Sequence, residues 1–237
     1  MSKSSLKAIR KFKKAVREFD GSELKIACAD VKADFPANCY APCLSVRNDK
    51  YGLVQPITCR VVATIPEIHL ARKQGAKITY YDAVIFDDLL IDGKPVYIFR
   101  DYNKDLKEKR DKAKDEGNDL LQNLTKHATN STYGKLCQGL RSKSIYDLKD
   151  GYNKPLPYSK ISTPYLGMMV TGAIRACLSS AIDAVYSLSK KGYVIYSATT
   201  DGLLYKSPLK SIDEAIDMEK LNAKFEGTLL DAFKEEK

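Results

Sequence analysis

Three short segments of this 237-residue chain carry side chains that could bind a metal ion or a phosphate group. The first is residues 30–36 (DVKADFP), which follow the apolar stretch at residues 24–29. We predict that this stretch is a buried strand that ends at Asp30-Val31. A carboxylate at the end of such a strand can project into a site and supply the hard oxygen ligand that Mg²⁺ prefers. Taken alone, the aspartate is more typical of a turn or a helix cap.

The second segment is residues 126–135 (KHATNSTYGK), in the second arm of a predicted helical hairpin. On a helix, Lys126, Asn130, Tyr133 and Gly134 fall near one face. That face suits a nucleoside triphosphate, because the lysine can meet phosphate, the ring can lie beside sugar and base, and the glycine permits close approach. The alternative is an ordinary amphipathic helix that ends at Tyr133-Gly134.

The third segment is residues 199–202 (TTDG), which separate two stretches rich in β-branched and aromatic residues. It predicts a tight β-hairpin with Asp-Gly at the turn, the commonest kind of hairpin turn. Asp201 at the tip is a candidate metal ligand. Taken alone, the segment indicates only a turn.

In this order, the three segments closely resemble motifs A, B and C of family B DNA polymerases, and they match the protein-primed branch of phages, adenoviruses and linear plasmids best. Motif B, Lys-x₃-Asn-Ser-x-Tyr-Gly, matches at every fixed position. Motif A of that branch reads Asp-x-x-Ser-Leu-Tyr-Pro and motif C of the family reads Asp-Thr-Asp-Ser, where this chain has DVKADFP and TTDG. The resemblance spans about residues 25–206.

The resemblance implies two-metal nucleotidyl transfer, with two Mg²⁺ ions, or Mn²⁺ in their place, held by Asp30, Asp201 and the backbone of Val31. The first aspartate of the family's motif C is Thr199 here, and we expect this change to lower activity without abolishing metal binding. Asp34 replaces an apolar residue whose backbone faces the triphosphate, so we expect its carboxylate to point away.

The resemblance also implies which residues bind the nucleotide. Phe35 takes the place of the steric-gate tyrosine and should still exclude a ribose hydroxyl. The expected nucleotide-binding residues are Phe35, Lys114, Lys126, Asn130, Tyr133 and Gly134. Further candidates are Lys109, Arg110 and Thr200. The first two of these suit i,i+4 ion pairs on a solvated helix at least as well.

A third implied set of residues contacts DNA. Residues 171–175 (TGAIR) are similar to the family's primer-contacting motif, Thr-x-x-[Gly/Ala]-Arg, with Ile174 as a departure. We expect Arg175 to meet a DNA phosphate, a contact that positions DNA without reading its sequence. Thr171 and Lys135 are the other expected DNA contacts.

The rest of the chain supplies the elements that must position these segments. Residues 3–17 hold seven basic residues and no acid, which predicts a cationic helix on phosphate or on an acidic partner, although a solvated end helix has the same pattern. Residues 100–116 are highly charged with a net charge near zero, and Gly117 after them predicts a helical hairpin. The other predicted elements are strands at 52–65 and 77–86, helices at 118–138, 166–190 and 211–235, and a loop between the first two of these helices.

The order of these elements favours an α+β fold over a doubly wound sheet. The resemblance implies that this fold is a polymerase palm, which is an antiparallel sheet flanked by helices, with a short helical-hairpin fingers subdomain. We expect the exonuclease and the thumb to be absent. The expected segments are a basic N-terminal helix (1–22), the first part of the palm with motif A (23–95), the fingers with motif B (96–140), the second part of the palm with motif C (141–210) and a C-terminal helix (211–237).

The composition limits the partners and the compartment. A net charge of +9 favours a polyanionic partner, and 44% hydrophobic residues fit a globular domain. No apolar run approaches the roughly 20 residues of a membrane span, so we expect no membrane partner. Six scattered cysteines and two histidines predict reduced thiols in the cytoplasm, the host cytoplasm for a phage, virus or plasmid protein, and no structural zinc site.

We therefore expect the catalytic palm and fingers subunit of a template-directed DNA polymerase, which transfers dNMP from a dNTP to a primer 3′-hydroxyl or to a protein hydroxyl. Its expected partners are primer–template DNA, a second polypeptide that supplies the thumb or the exonuclease, and a terminal protein as primer. The alternative is a degenerate, non-catalytic subunit for DNA binding or assembly, which Thr199 and Asp34 favour. Retention of Asp30, Asp201 and Lys126 together opposes this alternative.

Overall fold

A computed structural model describes residues 2–21, 24–87, 90–92, 94–97, 99–139, 143–186, 192–199 and 202–206. The helices in these ranges are α1 (Lys3–Glu18), α2 (Ile65–Lys73), α3 (Arg100–Asp115), α4 (Asp119–Leu136) and α5 (Pro164–Tyr186). The strands are β1 (Ala27–Asp34), β2 (Val46–Asn48), β3 (Gly52–Val54), β4 (Thr58–Thr64), β5 (Lys77–Ile85), β6 (Leu90–Ile91), β7 (Lys94–Pro95), β8 (Ser144–Asp147), β9 (Tyr152–Pro155), β10 (Val194–Ala198) and β11 (Leu203–Lys206). Helices with small antiparallel sheets confirm the predicted α+β class.

The contacts divide the chain into two units. The first unit comprises the described residues up to Phe86 and from Met169 onward, and the second comprises those in Asp87–Met168. Helix α5 therefore begins in the second unit and continues into the first. The palm and fingers boundaries stay predictions.

The first unit contains a three-stranded antiparallel sheet in the order β4–β1–β5. Its central strand, β1, buries every second side chain, and these side chains are small and apolar (Ala27, Ala29, Val31 and Ala33). Because side chains alternate along a strand, the polar residues of β1 lie on the opposite face. That face carries Asp30, Lys32 and Asp34, each only partly buried.

Helix α1 confirms the helix predicted at residues 3–17. The hydroxyl oxygen of Ser2 caps it by accepting a hydrogen bond from the backbone N–H of Ser5 (3.1 Å). Ile9, Phe12 and Val16 recur at helical spacing, and all three are buried in the core with the sheet. The helix is therefore a core element with a basic outer surface, not a wholly solvated end helix.

Helix α2 is absent from the predicted elements, although its start carries a local signal. The Glu67 carboxylate accepts hydrogen bonds from the backbone N–H of Thr64 (3.0 Å) and from its hydroxyl (2.7 Å). Thr-x-x-Glu with Pro66 in the first turn is a typical helix start. The β-branched run that ends at Ile65 hides this signal, because it predicts a strand up to the first helical residue.

The second unit contains the predicted helical hairpin, α3 and α4. Gly117 separates the two helices at a φ of 67°, a left-handed conformation that glycine adopts without strain. The Asn118 side chain caps α4 by accepting from the backbone N–H of Leu121 (3.0 Å). The hairpin prediction is confirmed.

The stretch predicted as a loop after α4 contains a second hairpin, β8 and β9, so the loop prediction is wrong there. The Asp147 carboxylate accepts from the backbone N–H groups of Lys149 and Asp150 in the turn, and Gly151 has a φ of 69°. Short polar strands have no apolar alternation, which is why the sequence pattern does not indicate them.

Helix α5 confirms the long helix that was expected from residue 166, and it starts two residues earlier. By length and composition alone, α5 is long and apolar enough to cross a membrane, and it is the one such helix in the described part of the chain. This finding corrects the expectation that the chain contains no stretch of that length and hydropathy. Its contacts favour a core helix instead: Ala176 is buried in the first unit's core, and Asp183 accepts a hydrogen bond from Gln74 (2.6 Å).

The hairpin of β10 and β11 is also confirmed, with the backbone N–H of Thr199 donating to the carbonyl of Gly202 (2.8 Å). Among the described strands, these two pair only with each other. The Asp-Gly turn at Asp201 and the helix predicted at 211–235 lie outside the described residues. All six cysteines are free thiols, as predicted, and burial raises the pKa of Cys177 to about 11.

Candidate functional site

Asp30 lies in the middle of β1, not at its end. The prediction that the strand ends at Asp30-Val31 is wrong, because pairing with both neighbouring strands continues to Asp34. Asp30 stands opposite Val62 of β4 and Asp82 of β5. The β1–β5 ladder is irregular between Asp30 and Val31, and β-bulges of this kind often re-aim a side chain next to a site.

A bidentate ion pair holds the Asp30 carboxylate. The Arg60 guanidinium donates from Nε to Oδ1 (3.1 Å) and from Nη2 to Oδ2 (2.7 Å), and it lies 4.2 Å from the ring centroid of Tyr81. The hydrogen bond from Arg60 is the main reason that the pKa of Asp30 is below its usual value. Asp30 is therefore an ionised carboxylate whose side chain is 29% exposed.

An ionised carboxylate fits a hard divalent cation, which prefers oxygen ligands. A cation at Asp30 must compete with Arg60 for the same two oxygens. The described residues contain no group of three or more His, Cys, Asp or Glu side chains that could hold a metal ion. Asp201 and Thr200 lie outside those residues, and the backbone of Val31 is part of the ladders to both neighbouring strands.

The end of motif A is tied into the fold. Phe35 buries its ring in the core, and its backbone N–H donates to the carbonyl of Ile57 (2.8 Å). Asp34 forms an ion pair with Lys32 (3.0 Å), and the hydrogen bond from that lysine lowers its pKa. The steric-gate role of Phe35 and the orientation of Asp34 toward a nucleotide stay predictions.

The motif B residues lie together on α4, in the second unit. Lys126, Asn130, Tyr133 and Gly134 are all exposed, and a Cβ added at Gly134 would meet no atom within 4 Å. This open face is what a bound nucleotide would require. Lys135 of the same helix donates to the side-chain oxygen of Gln138 (2.7 Å).

The candidate phosphate-binding cations of α3 and α4 divide into two kinds. Lys109 forms an i,i+4 ion pair with Asp105 (2.7 Å), which is the alternative that the sequence left open for it. Lys114 and Lys126 form no ion pair with any carboxylate in the described ranges, and neither does Arg110. Lys114 and Lys126 thus keep their charges available for a phosphate.

Arg175 has a protein partner that the sequence does not reveal. Its guanidinium donates from Nε and Nη2 to Oε1 of Glu67 (both 2.8 Å), and the Glu67 side chain is only 4% exposed. The other Glu67 oxygen holds Thr64 at the start of α2. Glu67 therefore joins α2 to α5, while the Arg175 side chain stays 37% exposed. Contact with a DNA phosphate stays a prediction for Arg175, as it does for Thr171.

Gly172 explains how α5 comes so close to α2. A Cβ built on Gly172 would lie 2.4 Å from the hydroxyl oxygen of Thr64 and 2.8 Å from Oε2 of Glu67. Only glycine fits at this crossing. Arg60, Thr64 and Glu67 are the residues of this site that sequence reasoning missed, and only the Thr-x-x-Glu spacing could have indicated two of them.

Comparison with known proteins points to one family. Residues 2–155 match the family model described as DNA polymerase type B, organellar and viral. The primer-independent DNA polymerase PolB of Escherichia coli is 35% identical over 183 residues, which are 76% of this chain and 20% of the relative. The match thus spans about a fifth of that relative's length. No solved structure matches the chain.

Proposed function

Because this chain belongs to the organellar and viral type B DNA polymerases, we propose that it is a palm and fingers portion that adds deoxynucleotides to a DNA primer. Asp30 supports this proposal most strongly: it is an ionised, accessible carboxylate on the central strand of the antiparallel sheet, at the motif A position. The open face of α4, with motif B complete, supports a nucleotide pocket.

Asp30, Asp201 and the Val31 carbonyl would hold the two Mg²⁺ ions, which neutralise phosphate charge and activate the attacking hydroxyl when bound. The oxygen donors suit these ions. Every other contribution comes from positioning and charge, since phosphoryl transfer needs little covalent work from side chains. Lys114 and Lys126 would bind the triphosphate, and Asn130, Tyr133 and Gly134 would shape the pocket for the base and sugar.

On the DNA side, Arg175 would contact a primer phosphate with the guanidinium N–H groups that do not bond Glu67. Glu67 would fix the position of that guanidinium, because a buried carboxylate holds two of its donors. A second polypeptide carrying a thumb or exonuclease, and a terminal protein as primer, remain part of this proposal.

A non-catalytic role in DNA binding or assembly is the second candidate. The observation that favours it is the Asp30–Arg60 pair, since a carboxylate with a bidentate protein partner has no need of a metal ion. Thr199 at the first motif C aspartate agrees with it.

Primer extension tests the two candidates. A labelled primer on a longer template is incubated with the chain, four dNTPs and Mg²⁺, with and without polypeptides that co-purify with it. We expect extension that chelation with EDTA abolishes and that ribonucleotides do not support. A template without a primer tests whether the chain shares the primer independence named for its relative. A chain that binds the primer–template but extends nothing under any condition would support the non-catalytic role.

Arg60 provides a test of the metal site. We expect Arg60→Gln to lower the Mg²⁺ concentration for half-maximal extension by about two- to five-fold, because an exposed ion pair of modest strength no longer competes for Asp30. The measurement is a Mg²⁺ titration of the extension rate, with Arg47→Gln on β2 as a control for the loss of one positive charge. An unchanged or higher Mg²⁺ requirement in Arg60→Gln would contradict the competition.

Lys126 provides a test of the nucleotide site. We expect Lys126→Ala to lower kcat/KM for dNTP by about 10- to 100-fold, because a charge-assisted hydrogen bond to phosphate is worth about 1.5–3 kcal/mol. Single-nucleotide incorporation at varied dNTP concentration measures this change. Lys112→Ala on α3 removes one exposed lysine that pairs with Glu116 and should keep the wild-type value. Equal losses of kcat/KM in both variants would mean that the total positive charge of the helices, and not a specific contact from Lys126, determines the use of dNTP.

A further inference from the structure

One flank of α1 carries a row of cations that have no part in the proposed metal, nucleotide or primer site. Arg10, Lys13 and Arg17 are exposed and follow one another at spacings of three and four residues, so they lie on one side of the helix. The adjoining face of the helix is buried through Ile9, Phe12 and Val16. The row therefore borders the contact between α1 and the sheet.

These three side chains form one wall of a cleft of about 390 Å³. Arg72, near the end of α2, adds a fourth cation, and the remaining lining residues are Ala76, Ile78 and Tyr80. None of the described residues that line the cleft is acidic. Lys13 Nζ lies 4.7 Å from the ring centroid of Tyr80, so a cation already lies over one face of this ring.

The four cations have no counter-charge in the described ranges. None of them forms an ion pair with a described carboxylate, whereas Lys14, on the other flank of α1, pairs with Glu18 (3.8 Å). The cleft on that other flank is lined by Glu18 and Asp20 as well as by lysines. The cleft lined by the four cations therefore has a higher net positive charge than the cleft on the other flank.

The walls of the basic cleft are held in place by buried contacts. His69 of α2 donates from Nδ1 to the carbonyl of Val16 (3.2 Å), and burial lowers its pKa, which favours the neutral ring. Phe19 packs edge-on against His69, with the ring centroids 5.3 Å apart, and Phe12 packs edge-on against Tyr80, with the ring centroids 6.2 Å apart. The separation of the cations on α1 and α2 is thus set by the core.

We propose that this cleft binds the phosphate backbone of a nucleic-acid strand, as a contact separate from the motif A, B and C residues. From Arg10 to Arg17 the helix rises about 10 Å, which equals the rise of about three nucleotides of one strand. Arginines suit phosphate through their planar, multi-donor guanidinium groups. Because contacts to phosphate carry no sequence information, we expect this binding to be independent of base sequence. The choice of a nucleic-acid strand as ligand rests on the proposed polymerase function.

Two matched pairs of substitutions on the same helix test the proposal. Arg10→Gln/Arg17→Gln removes two charges from the cleft, and Lys11→Gln/Lys14→Gln removes two from the opposite flank. Fluorescence anisotropy with a labelled single-stranded oligonucleotide, at several salt concentrations, gives the affinity of each variant. We expect the cleft variant to bind about ten-fold more weakly, and its slope of log affinity against log salt to be shallower by about 1.4. The opposite-flank variant should change by less than two-fold.

Three results would overturn the proposal: wild-type binding by the cleft variant, equal losses in both variants, or displacement of the oligonucleotide by tripolyphosphate at equal charge concentration. The last result would assign the cleft to free polyphosphate. Arg10→Lys/Arg17→Lys should recover most of the affinity, which separates loss of charge from loss of structure. Oligonucleotide binding is measured without dNTP, so its result does not depend on primer extension. A chain that fails to extend a primer can still confirm the cleft proposal, and a chain that extends normally can still contradict it.

Discussion

Asp30→Asn is expected to lower the rate of primer extension by about 1000-fold or more. The substitution keeps the shape of the side chain but removes the charge with which Asp30 would hold a metal ion against the reacting phosphate. Charge stabilisation of several kcal/mol depends on such a ligand, and each 1.36 kcal/mol is a factor of ten in rate. Asp201→Asn should have an effect of the same size.

The fold should survive this change. Asp30 is partly exposed, and its side chain bonds only Arg60 among the described residues, to which an asparagine oxygen can still accept a hydrogen bond. Circular dichroism and urea unfolding would show this. Asp82→Asn is the matched control, because Asp82 stands opposite Asp30 on β5 and bonds Ser5 (2.6 Å). Extension that persists in Asp30→Asn, or that falls equally in Asp82→Asn, would refute the metal assignment.

Gly172→Ala is expected to destabilise the first unit by about 3 kcal/mol, the upper range for overpacking a well-packed core. The new methyl group would overlap Thr64, which is fully buried and has no flexible end that could move aside. Either α5 moves away from α2 or Thr64 moves away from Glu67. Both movements disturb the hydrogen bonds of Glu67, and the second leaves buried polar groups without partners.

A second substitution can relieve the overlap. Thr64→Ala removes the hydroxyl and methyl groups that lie 2.4 Å and 2.7 Å from the added Cβ, so Gly172→Ala/Thr64→Ala should be more stable than the sum of the two single changes predicts. Gly134→Ala is the control for glycine in an exposed helix, where alanine should be neutral or stabilising. Urea unfolding of the four variants measures these differences. Additive effects, or no loss in Gly172→Ala, would contradict the packing argument.

Elements with a strong local pattern could be predicted without a structure. Helix α1 has an apolar residue every three or four positions, and the α3–α4 hairpin has a glycine between two long helices. Motif B is a contiguous segment, so its face on α4 follows from helical geometry alone. Helix α2 and the β8–β9 hairpin could not be predicted in this way. The β-branched run that precedes α2 hides the start of that helix, and β8 and β9 lack an alternation of apolar and polar residues.

Two features of the candidate site depend on the tertiary structure. Asp30 meets Arg60, 30 residues away, because β1 and β4 pair in one register. Arg175 meets Glu67, 108 residues away, because α5 crosses α2 at Gly172. Residue types and spacing identify the family. They also predict Asp30 as a candidate metal ligand and Arg175 as a candidate phosphate contact, because both residues lie in short contiguous motifs. The partners that set the charge and position of those groups come from strand register and helix packing, which join residues distant in the chain and leave no local pattern.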